Sequence, residues 1–416
     1  MDALNILNAI HSNMDELYQS RIPIATKNNI ELVGQAIVSN DREQNMMFSE
    51  LFGVVFAQEI INRTYNSKFG RLKGDNIPNG LDAQSIYVNP AVSVEFDPEG
   101  KSLMKLALAD VKSFIVKRMR KSEYAVSVSD EQVLDAFTSI EKLTTFFQAQ
   151  LNSLINGDNI DEDIIFSSVL ASSLASGIIP IIELEDYPND KASGEKYVKT
   201  SQLLYMDFLS ASENWNPYNK AYPTPKTGNP AITWVESEDN IVQIIKNDVF
   251  VNVGVDVLAP AYNMRVVDFK KNIISIPTIG TCDSCLSIIA DESAFILRDN
   301  LLKNKKFENG SGLTTKFMRH HWQTAGINLF ANCVAIMIKT TVTLDKSTVS
   351  LSAGSPTATV TATVTPTTVS VKYFSSDDSV ATVDDNGLVT RIKAGTCAIT
   401  CIAGGYKKAT VDVTCS

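Results

Sequence analysis

The last 76 residues of the chain, 341–416, follow a two-residue rhythm that predicts β-strands. Residues 357–364 alternate threonine with alanine or valine, which places successive side chains on opposite faces of a strand. Turn-forming residues interrupt this segment at Pro356, Pro366, Asn386-Gly387 and Gly404-Gly405. Asn-Gly favours tight hairpins because both residues accept positive φ angles. Short strands separated by turns about every 8–12 residues predict an immunoglobulin-like β-sandwich.

A short motif inside this segment is more specific than its rhythm. Residues 375–384 read Ser-Ser-Asp-Asp-Ser-Val-Ala-Thr-Val-Asp, followed by Asn386-Gly387-Leu388-Val389-Thr390 and then Ala394-Gly395-Thr396. The motif resembles the bacterial group 2 Ig-like module, although Tyr373-Phe374 stands where that family usually has a tryptophan. The resemblance implies an all-β domain over 340–416. Such modules occur in bacterial adhesins and in phage structural proteins, so the module alone does not give the function.

The composition of the whole chain limits the remaining possibilities. A length of 416 residues suggests about two or three domains. The net charge of −10 argues against nucleic-acid binding by the whole surface, while a local basic patch stays open. The N-terminal residues lack the basic start and apolar run of a secretion signal. Since no run of about 18 apolar residues occurs, no membrane span is expected.

Six cysteines raise the question of thiol chemistry. Cys282 and Cys285 form a CxxC, which is typical of a redox pair or of half a zinc site. A zinc site needs a second ligand pair, and no other CxxC or HxxxH supplies it. A thioredoxin-like pair opens a helix, whereas residues 286–289 read as a strand. We therefore expect buried, reduced thiols here, and free thiols within the sandwich at Cys397 and Cys401.

The sequence carries no motif of a known catalytic class. It lacks a P-loop, a GxSxG elbow and an HExxH helix. Only three histidines occur, and His320 and His321 are adjacent, so on a strand they would face opposite ways and make a poor joint ligand pair. The prediction is a protein that is not an enzyme, with no catalytic, cofactor-binding or metal-binding residues.

Helical patterns occur in the first half of the chain. Apolar residues recur at helical spacing at Leu4, Leu7, Ile10, Met14 and Leu17. A second helix is expected from about Asp41 to Ile61. Residues 66–100 are instead rich in glycine and proline, and a long polar excursion of this kind is usually functional.

The clearest helix is expected at 129–157. Ser129 and Gln132 fit a capping box, a wide apolar stripe follows, and Gly157 suits the C-terminus of a helix. Residues 158–163, Asp-Asn-Ile-Asp-Glu-Asp, lack the frame of a calcium loop. We expect them to cap the start of the next helix. The residues Lys339-Thr340 are expected to form a hinge before the Ig-like module.

Three segments of the body resemble the major capsid protein family of small short-tailed phages of the phi-29 type. The segments are 22–34, then 255–264 with Asp268-Phe269, then His321-Trp322-Gln323-Thr324 with 330–335. Their order and approximate spacing agree with the family, which also carries a C-terminal group 2 Ig-like module. Cys282 and Cys285 are not part of the family pattern.

The resemblance implies an α+β fold, the tailed-phage capsid fold of the Hong Kong 97 type, followed by the all-β sandwich. The implied parts are a shell domain 1–339 with an N-terminal arm 1–65, an extended loop 66–105, a spine helix 129–157 of the peripheral domain and an axial domain 175–300, and an Ig-like domain 340–416. The arm would reach another subunit, and the extended loop would lie over a neighbouring subunit. The implied function is a major capsid protein of the virion, assembled in the host cytoplasm.

The resemblance also implies partners. Copies of the chain would form the pentamers and hexamers of a shell, with a scaffolding protein, a portal or connector, and packaged double-stranded DNA bound without sequence specificity. Because the family-like segment begins near Arg21, we expect the scaffold to act in trans. The Ig-like domain balances six basic against six acidic residues, which predicts a place on the outer face, away from DNA. There it could touch the host cell surface, and a chain ending after Thr340 should still close shells.

Two alternatives compete with a capsid protein. A bacterial surface adhesin would explain the Ig-like domain, but it calls for a secretion signal or several tandem modules. A thiol oxidoreductase would rest on Cys282 and Cys285 alone.

Overall fold

The computed structural model describes residues 3–26, 29–38, 42–43, 46–47, 65–78, 82–91, 98, 109–129, 132, 140–223, 231–253, 272–309 and 314–416. The chain divides into two compact units. The first comprises Met1–Asp82, Lys117–Asp163 and Leu297–Thr324; the second comprises Ala83–Val116, Ile164–Ile296 and Ala325–Ser416. None of the helices in these described ranges has both the length and the apolar character that a membrane crossing requires.

The elements are numbered in chain order. The helices are α1 (Ala3–Asn13), α2 (Glu16–Arg21), α3 (Ile30–Val38), α4 (Ile140–Ala175), α5 (Lys191–Phe208), α6 (Pro217–Ala221) and α7 (Asn247–Asn252). The strands before the Ig-like segment are β1 (Ala83–Val88), β2 (Val111–Val116), β3 (Arg120–Ser129), β4 (Ile181–Leu184), β5 (Ile241–Lys246), β6 (Ile273–Ile276), β7 (Cys285–Asp291), β8 (Phe295–Asn309), β9 (Thr314–Ile327) and β10 (Cys333–Ile338). The Ig-like strands are β11 (Thr341–Leu344), β12 (Thr348–Leu351), β13 (Thr357–Thr359), β14 (Ala362–Thr365), β15 (Val371–Ser375), β16 (Ala381–Val383), β17 (Leu388–Arg391), β18 (Gly395–Ala403) and β19 (Lys407–Cys415).

The N-terminal segment forms helices that pack on their own unit. The apolar pattern expected as one helix is split, because Asp15 caps α2 by accepting a hydrogen bond from the Tyr18 amide at 2.9 Å. Leu7, Ile10 and Met14 are buried in a core cluster that also contains residues of β3, α4 and β9. The described part of the arm therefore packs on its own chain. That the arm reaches another subunit stays a prediction. The helix expected over 41–61 lies almost wholly outside the described residues.

The first unit is built on a three-stranded sheet of order β3-β9-β8. Strands β3 and β9 are antiparallel, with Arg120 opposite Gln323 at one end and Ser129 opposite Thr314 at the other. Because side chains alternate along a strand, each residue pair belongs to one face of the sheet. One face carries Val128, which packs with Leu154 of α4.

Helix α4 ends at Ala175, and not at Gly157 as the sequence predicts. The reciprocal capping contacts are present: the Gln132 amide donates to Ser129 Oγ at 3.3 Å, and the Ser129 amide donates to Gln132 Oε1 at 3.1 Å. Residues 133–139 lie outside the described part of the chain. The helix continues through Gly157 and 158–163 to Ala175, so those acidic residues lie in its interior and cap no new helix. The reason is that two of them, Asp158 and Glu162, are buried against cationic partners.

The second unit contains a five-stranded mixed sheet of order β4-β10-β7-β5-β6. The β4–β10 and β5–β6 pairs are parallel, whereas β7 is antiparallel to both of its neighbours. Helix α5 covers this sheet through Tyr197, Leu204 and Phe208. Strand β10, at Cys333–Ile338, is one of the inner strands of this sheet. The axial domain expected over 175–300 therefore leaves out one strand of the sheet.

The strands β1 and β2 form an antiparallel hairpin, with Ala83 opposite Val116 and Val88 opposite Val111. Only β1 lies within the Gly/Pro-rich region 66–100 that the sequence marks as functional. Strand β2 begins at Val111, wholly beyond the limit of 105 expected for the extended loop.

The C-terminal segment is the sandwich that the alternating pattern predicts. Its larger sheet has the order β12-β19-β18-β15, and β13-β17-β16 and β11-β14 form smaller sheets. Val360, Val389, Ile399 and Val411 fill a separate core. The turns expected at Asn386-Gly387 and Gly404-Gly405 are present, and all three glycines have positive φ angles.

Candidate functional site

The cysteine pair lies in a turn that leads into β7, as the sequence predicts, rather than at the start of a helix. Cys282 and Cys285 are both buried, and neither forms a disulfide. Burial raises the pKa of Cys285 well above its ordinary value, and the adjacent Cys282 thiol raises it further. Since the reactive species of a cysteine is its thiolate, this environment suppresses redox and nucleophilic chemistry. Cys397 and Cys401 are buried thiols of the sandwich, as expected.

The adjacent histidines face opposite sides of β9, as expected. The His321 side chain is 2% exposed, whereas that of His320 is 28% exposed and lies 3.8 Å from Glu123. They therefore belong to two different environments: His321 lies in a buried ionic network, and His320 lies on the opposite face.

The buried ionic network is centred on Asp158 of α4. Arg120 and Arg319 approach its two carboxylate oxygens at 2.6 and 2.7 Å. The ring of His321 lies between two carboxylates, with Nδ1 2.6 Å from Asp158 and Nε2 2.9 Å from Asp299. A neutral imidazole can donate through only one nitrogen, so this geometry favours the imidazolium form. The network thus joins strands β3, β8 and β9 to the middle of α4.

Electrostatics within the network follow from these contacts. Burial alone would lower the pKa of His321, but the hydrogen bonds to Asp158 and Asp299 outweigh burial and raise that pKa. Burial acts in the opposite direction on Asp299, where His321 and Lys73 prevail and lower the pKa to about 2. The pKa of Asp158 is lowered further, against its burial, by His321 and Arg319. Both carboxylates are therefore charged at neutral pH, and the raised pKa of His321 favours its imidazolium form.

Glu162, Asp299 and His321 have the residue types of a metal site, and their ligand atoms lie within 4.8 Å of one another. The same oxygens already accept from cations and amides. Lys73 Nζ lies 2.8 Å from Glu162 and 3.0 Å from Asp299, and the Gln323 amide donates to Glu162 at 2.8 Å. An ammonium at the centre of the group repels a metal ion. The residues therefore fit an ion-pair network, and they do not fit a metal.

One face of the β1–β2 hairpin is exposed and apolar. We call it the hairpin face; it comprises Gln84, Ile86, Val88, Val111, Ser113 and Ile115. The four aliphatic side chains are each at least half exposed. The other face is anchored within the second unit: the Tyr87 hydroxyl donates to the Thr233 carbonyl, and its ring packs 5.1 Å from that of Trp234. The hairpin is thus fixed on one side and open on the other.

The exposed side of the β3–β9 sheet is basic. We call it the basic face; it comprises Arg118, Lys121, Lys316, His320 and Trp322. The Trp322 ring lies 4.9 Å from the Arg118 guanidinium and 5.3 Å from Lys121 Nζ. The single acid of β3 and β9, Glu123, is already 3.2 Å from Lys316. The surface therefore carries net positive charge on a chain of net charge −10.

The junction between the body of the chain, up to Ile338, and the Ig-like domain is not the hinge that the sequence predicts. Thr340 is buried, and its amide donates to the Tyr406 hydroxyl at 3.0 Å. The Lys339 amide donates to the Leu184 carbonyl at 2.8 Å. A junction whose backbone groups are hydrogen-bonded and buried does not act as a flexible hinge.

The sequence offered one unused signal for the buried network. The apolar stripe of α4, continued at helical spacing from Leu154, reaches Asp158 and Glu162. A carboxylate that continues a buried stripe must be neutralised, either by a buried cation or by a proton. That partner could not be named, because Arg120 and Arg319 are distant in the sequence.

Comparisons with known proteins agree with one another. The family described as Phi29-like phage major capsid protein matches residues 7–337, and the bacterial Ig-like domain (group 2) matches residues 339–413. The major capsid protein of Bacillus phage PZA is 23% identical over 340 residues, covering 81% of this chain and 73% of that protein. That of Bacillus phage B103 is 22% identical over 341 residues, with the same coverage. A chain in the capsid structure of Staphylococcus phage Andhra matches with a TM-score of 0.55 at 13% identity, covering 67% of this chain and 86% of that chain.

Proposed function

This chain belongs to the Phi29-like phage major capsid protein family, and we propose that its copies join through two surfaces, the hairpin face of one copy and the basic face of the next. Its class is a structural protein of the virion rather than an enzyme. Its fold is the tailed-phage capsid fold followed by an Ig-like sandwich, as the resemblance implied.

The hairpin face carries the proposal. Ile86, Val88, Val111 and Ile115 expose aliphatic surface on a hairpin whose other face is anchored. Soluble monomers rarely expose contiguous apolar patches, and those that do usually bind another protein. In a shell built from copies of one chain, the most abundant partner is a second copy. The hairpin would therefore act as the extended loop that lies over a neighbouring subunit.

Charge complementarity supports the basic face as the receiving surface. The sequence between β1 and β2 carries Glu95, Asp97 and Glu99 within five residues. The basic face carries Lys121 and Lys316, with Arg118 on the same side. Opposite charges on two surfaces steer association and fix its register more than they add affinity. We therefore assign the acidic connection of one copy to the basic face of its neighbour.

The first test replaces Ile86 by lysine, with Ile392→Lys in the Ig-like domain as a matched control. Ile86 is 61% exposed and Ile392 is 55% exposed, so neither change should disturb folding. We expect Ile86→Lys to abolish closed shells in cells that co-express the scaffold, while Ile392→Lys leaves them intact. Negative-stain microscopy and sedimentation measure the outcome. Normal shells from a normally folded Ile86→Lys protein would overturn the proposal.

A charge exchange tests the pairing of the two surfaces. Lys121→Glu should reduce assembly, and adding Glu95→Lys and Glu99→Lys in the same chain should restore part of it. A matched control places the two lysine substitutions at Asp378 and Asp385, exposed acidic residues of the Ig-like domain. If Lys121→Glu instead forms normal shells that retain less DNA, the basic face binds the packaged polyanion, and the assignment to a neighbouring subunit is wrong.

Family membership also supports the remaining partners as proposals. These are a scaffolding protein that acts in trans, a portal or connector, double-stranded DNA enclosed by the shell, and the host cell surface as a contact of the Ig-like domain. Co-expression of the chain with and without the phage scaffold tests the first. Closed shells of uniform size from the chain alone would show that no scaffold is needed.

A further inference from the structure

The turn between β18 and β19 enters the capsid body. We call Gly404-Gly405-Tyr406 the clamp turn and residues 282–285 the cysteine turn. The Gly404 carbonyl accepts from the Ser284 amide at 3.3 Å and from the Cys282 thiol at 3.2 Å. Gly404 is itself buried, as are Cys282 and Ser284. The two turns therefore shield each other from water.

Both glycines of the clamp turn are required by this contact. Their φ angles are +58° and +82°, which glycine adopts without strain. A Cβ on Gly404 would lie 1.8 Å from Ser284 Oγ, and one on Gly405 would lie 2.5 Å from Cys282 Cα. A hairpin turn alone needs the positive φ angles, but only the contact with the cysteine turn explains why nothing larger than hydrogen fits.

The third residue of the clamp turn binds the end of β10 and the edge of the sheet. The Tyr406 hydroxyl accepts from the Thr340 amide and lies 2.9 Å from the Ile338 carbonyl oxygen and 3.0 Å from Glu183 Oε1. Lys407 Nζ lies 2.7 Å from the same Glu183 oxygen. Within the body, the Ile338 amide donates to the Ser284 carbonyl at 2.8 Å. One side chain thus touches β4 and the end of β10, which is itself bonded to the cysteine turn.

We propose that the Ig-like domain acts in cis as a clamp: its clamp turn holds the end of β10 and the cysteine turn of the capsid body. In this role the Ig-like domain stabilises the five-stranded sheet β4-β10-β7-β5-β6. This role is independent of what the outer surface of the domain contacts. The role also gives Cys282 and Ser284 a function, which is to form the small surface that receives the glycines. This inference does not depend on how neighbouring copies join, so failure of the assembly proposal would leave it intact.

The buried Cys282 thiol provides a direct measurement of clamp opening. Full-length protein is treated with N-ethylmaleimide under native conditions, and the modified cysteine is identified by peptide mass spectrometry. Tyr406→Phe removes the hydroxyl and leaves the ring. We expect Cys282 to be modified about three- to tenfold faster in this variant, the change that loss of one net hydrogen bond produces. Amide hydrogen exchange over 279–285 and 338–340 should accelerate in parallel.

Tyr373→Phe is the matched control, because the Tyr373 hydroxyl accepts from the Ala362 amide at 3.1 Å wholly within the Ig-like domain. It should leave the Cys282 rate unchanged. Gly404→Ala should expose Cys282 more than Tyr406→Phe does, and Gly177→Ala controls for strain, since Gly177 has φ +75° with nothing within 4 Å of its added Cβ. Unchanged modification of Cys282 in both Tyr406→Phe and Gly404→Ala would overturn the proposal. Equal acceleration by Tyr373→Phe would also overturn it, because the effect would then be global.

Discussion

Two buried acidic regions of this molecule neutralise their carboxylates in different ways. Asp158 is surrounded by Arg120, Arg319 and His321, so its charge is balanced by cations. Glu236 is hydrogen-bonded to a second acid, Asp291, and no salt bridge to either is found in the described ranges. Burial and the neighbouring Asp291 raise the pKa of Glu236 to about 10, so this pair is balanced by a proton. The comparison teaches that a buried carboxylate can either strengthen or weaken the fold, depending on what neutralises it.

The largest expected effect on stability comes from disrupting the cation-balanced region around Asp158. Asp158→Asn leaves three buried cationic groups without their central anion, and we expect a loss of about 3–5 kcal/mol in the free energy of unfolding. Chemical denaturation of the unassembled protein measures it. Asp186→Asn is the control: Asp186 is 63% exposed and lies 3.4 Å from Lys196, and such a surface pair contributes about 1 kcal/mol at most. Equal effects of the two substitutions would contradict the importance of the network.

The second prediction concerns the proton-balanced region. There, replacing the acid should raise the free energy of unfolding, whereas replacing Asp158 should lower it. The pKa of Glu236 rises from 4.5 when unfolded to about 10 when folded, so the folded protein holds a proton that the unfolded chain releases at neutral pH. Stability is therefore complete below about pH 4.5 and declines as pH rises towards 10. Glu236→Gln has no proton to lose and can still donate to Asp291. We expect it to stabilise the protein by about 1–3 kcal/mol at pH 8. Destabilisation at that pH would show that the pair is not proton-balanced.

A smaller effect on stability is expected from the titration of His321. It tests the cation-balanced region by pH, as Glu236 tests the proton-balanced region. Its folded pKa is raised, so its contribution is complete below about pH 6.5 and is lost as pH rises through the folded pKa. The charged groups facing it are Asp158, Asp299 and Arg120. In the Glu236→Gln background, which removes the pH dependence of Glu236, we expect the free energy of unfolding to decline as pH rises through the folded pKa of His321. Adding His321→Gln should flatten that slope; an unchanged slope would assign it to another group.

The sequence predicted well those parts of the molecule whose causes are local. The sandwich follows from a period-two pattern and from Asn386-Gly387, and β7 follows from the apolar run after Cys285. The burial of Cys282 and Cys285 in a turn before a strand agrees with the same run. These features need only neighbouring residues to be recognised.

Features that depend on distant residues could not be predicted in the same way. The acidic residues 158–163 look like caps until Arg120 and Arg319 are placed beside them. Lys339-Thr340 looks like a linker until Tyr406 binds it. In both cases the local pattern is compatible with two structures, and a partner far along the chain selects one.

The smallest effect tests how tightly the cation-balanced region is packed. Gly157 lies inside α4, where glycine costs about 0.5–1 kcal/mol relative to alanine. A Cβ there would lie 3.4 Å from Tyr124 Cδ1, an ordinary contact, and the Tyr124 hydroxyl donates to Asp161 at 2.7 Å. Because the methyl group fits without moving the ring, we expect Gly157→Ala to stabilise the protein by about 0.5–1 kcal/mol. Gly177→Ala, at a positive φ, should instead destabilise it. If Gly157→Ala is destabilising and Tyr124→Phe abolishes that loss, the glycine is needed to bring Tyr124 to Asp161, and the network tolerates less displacement than its packing distance suggests.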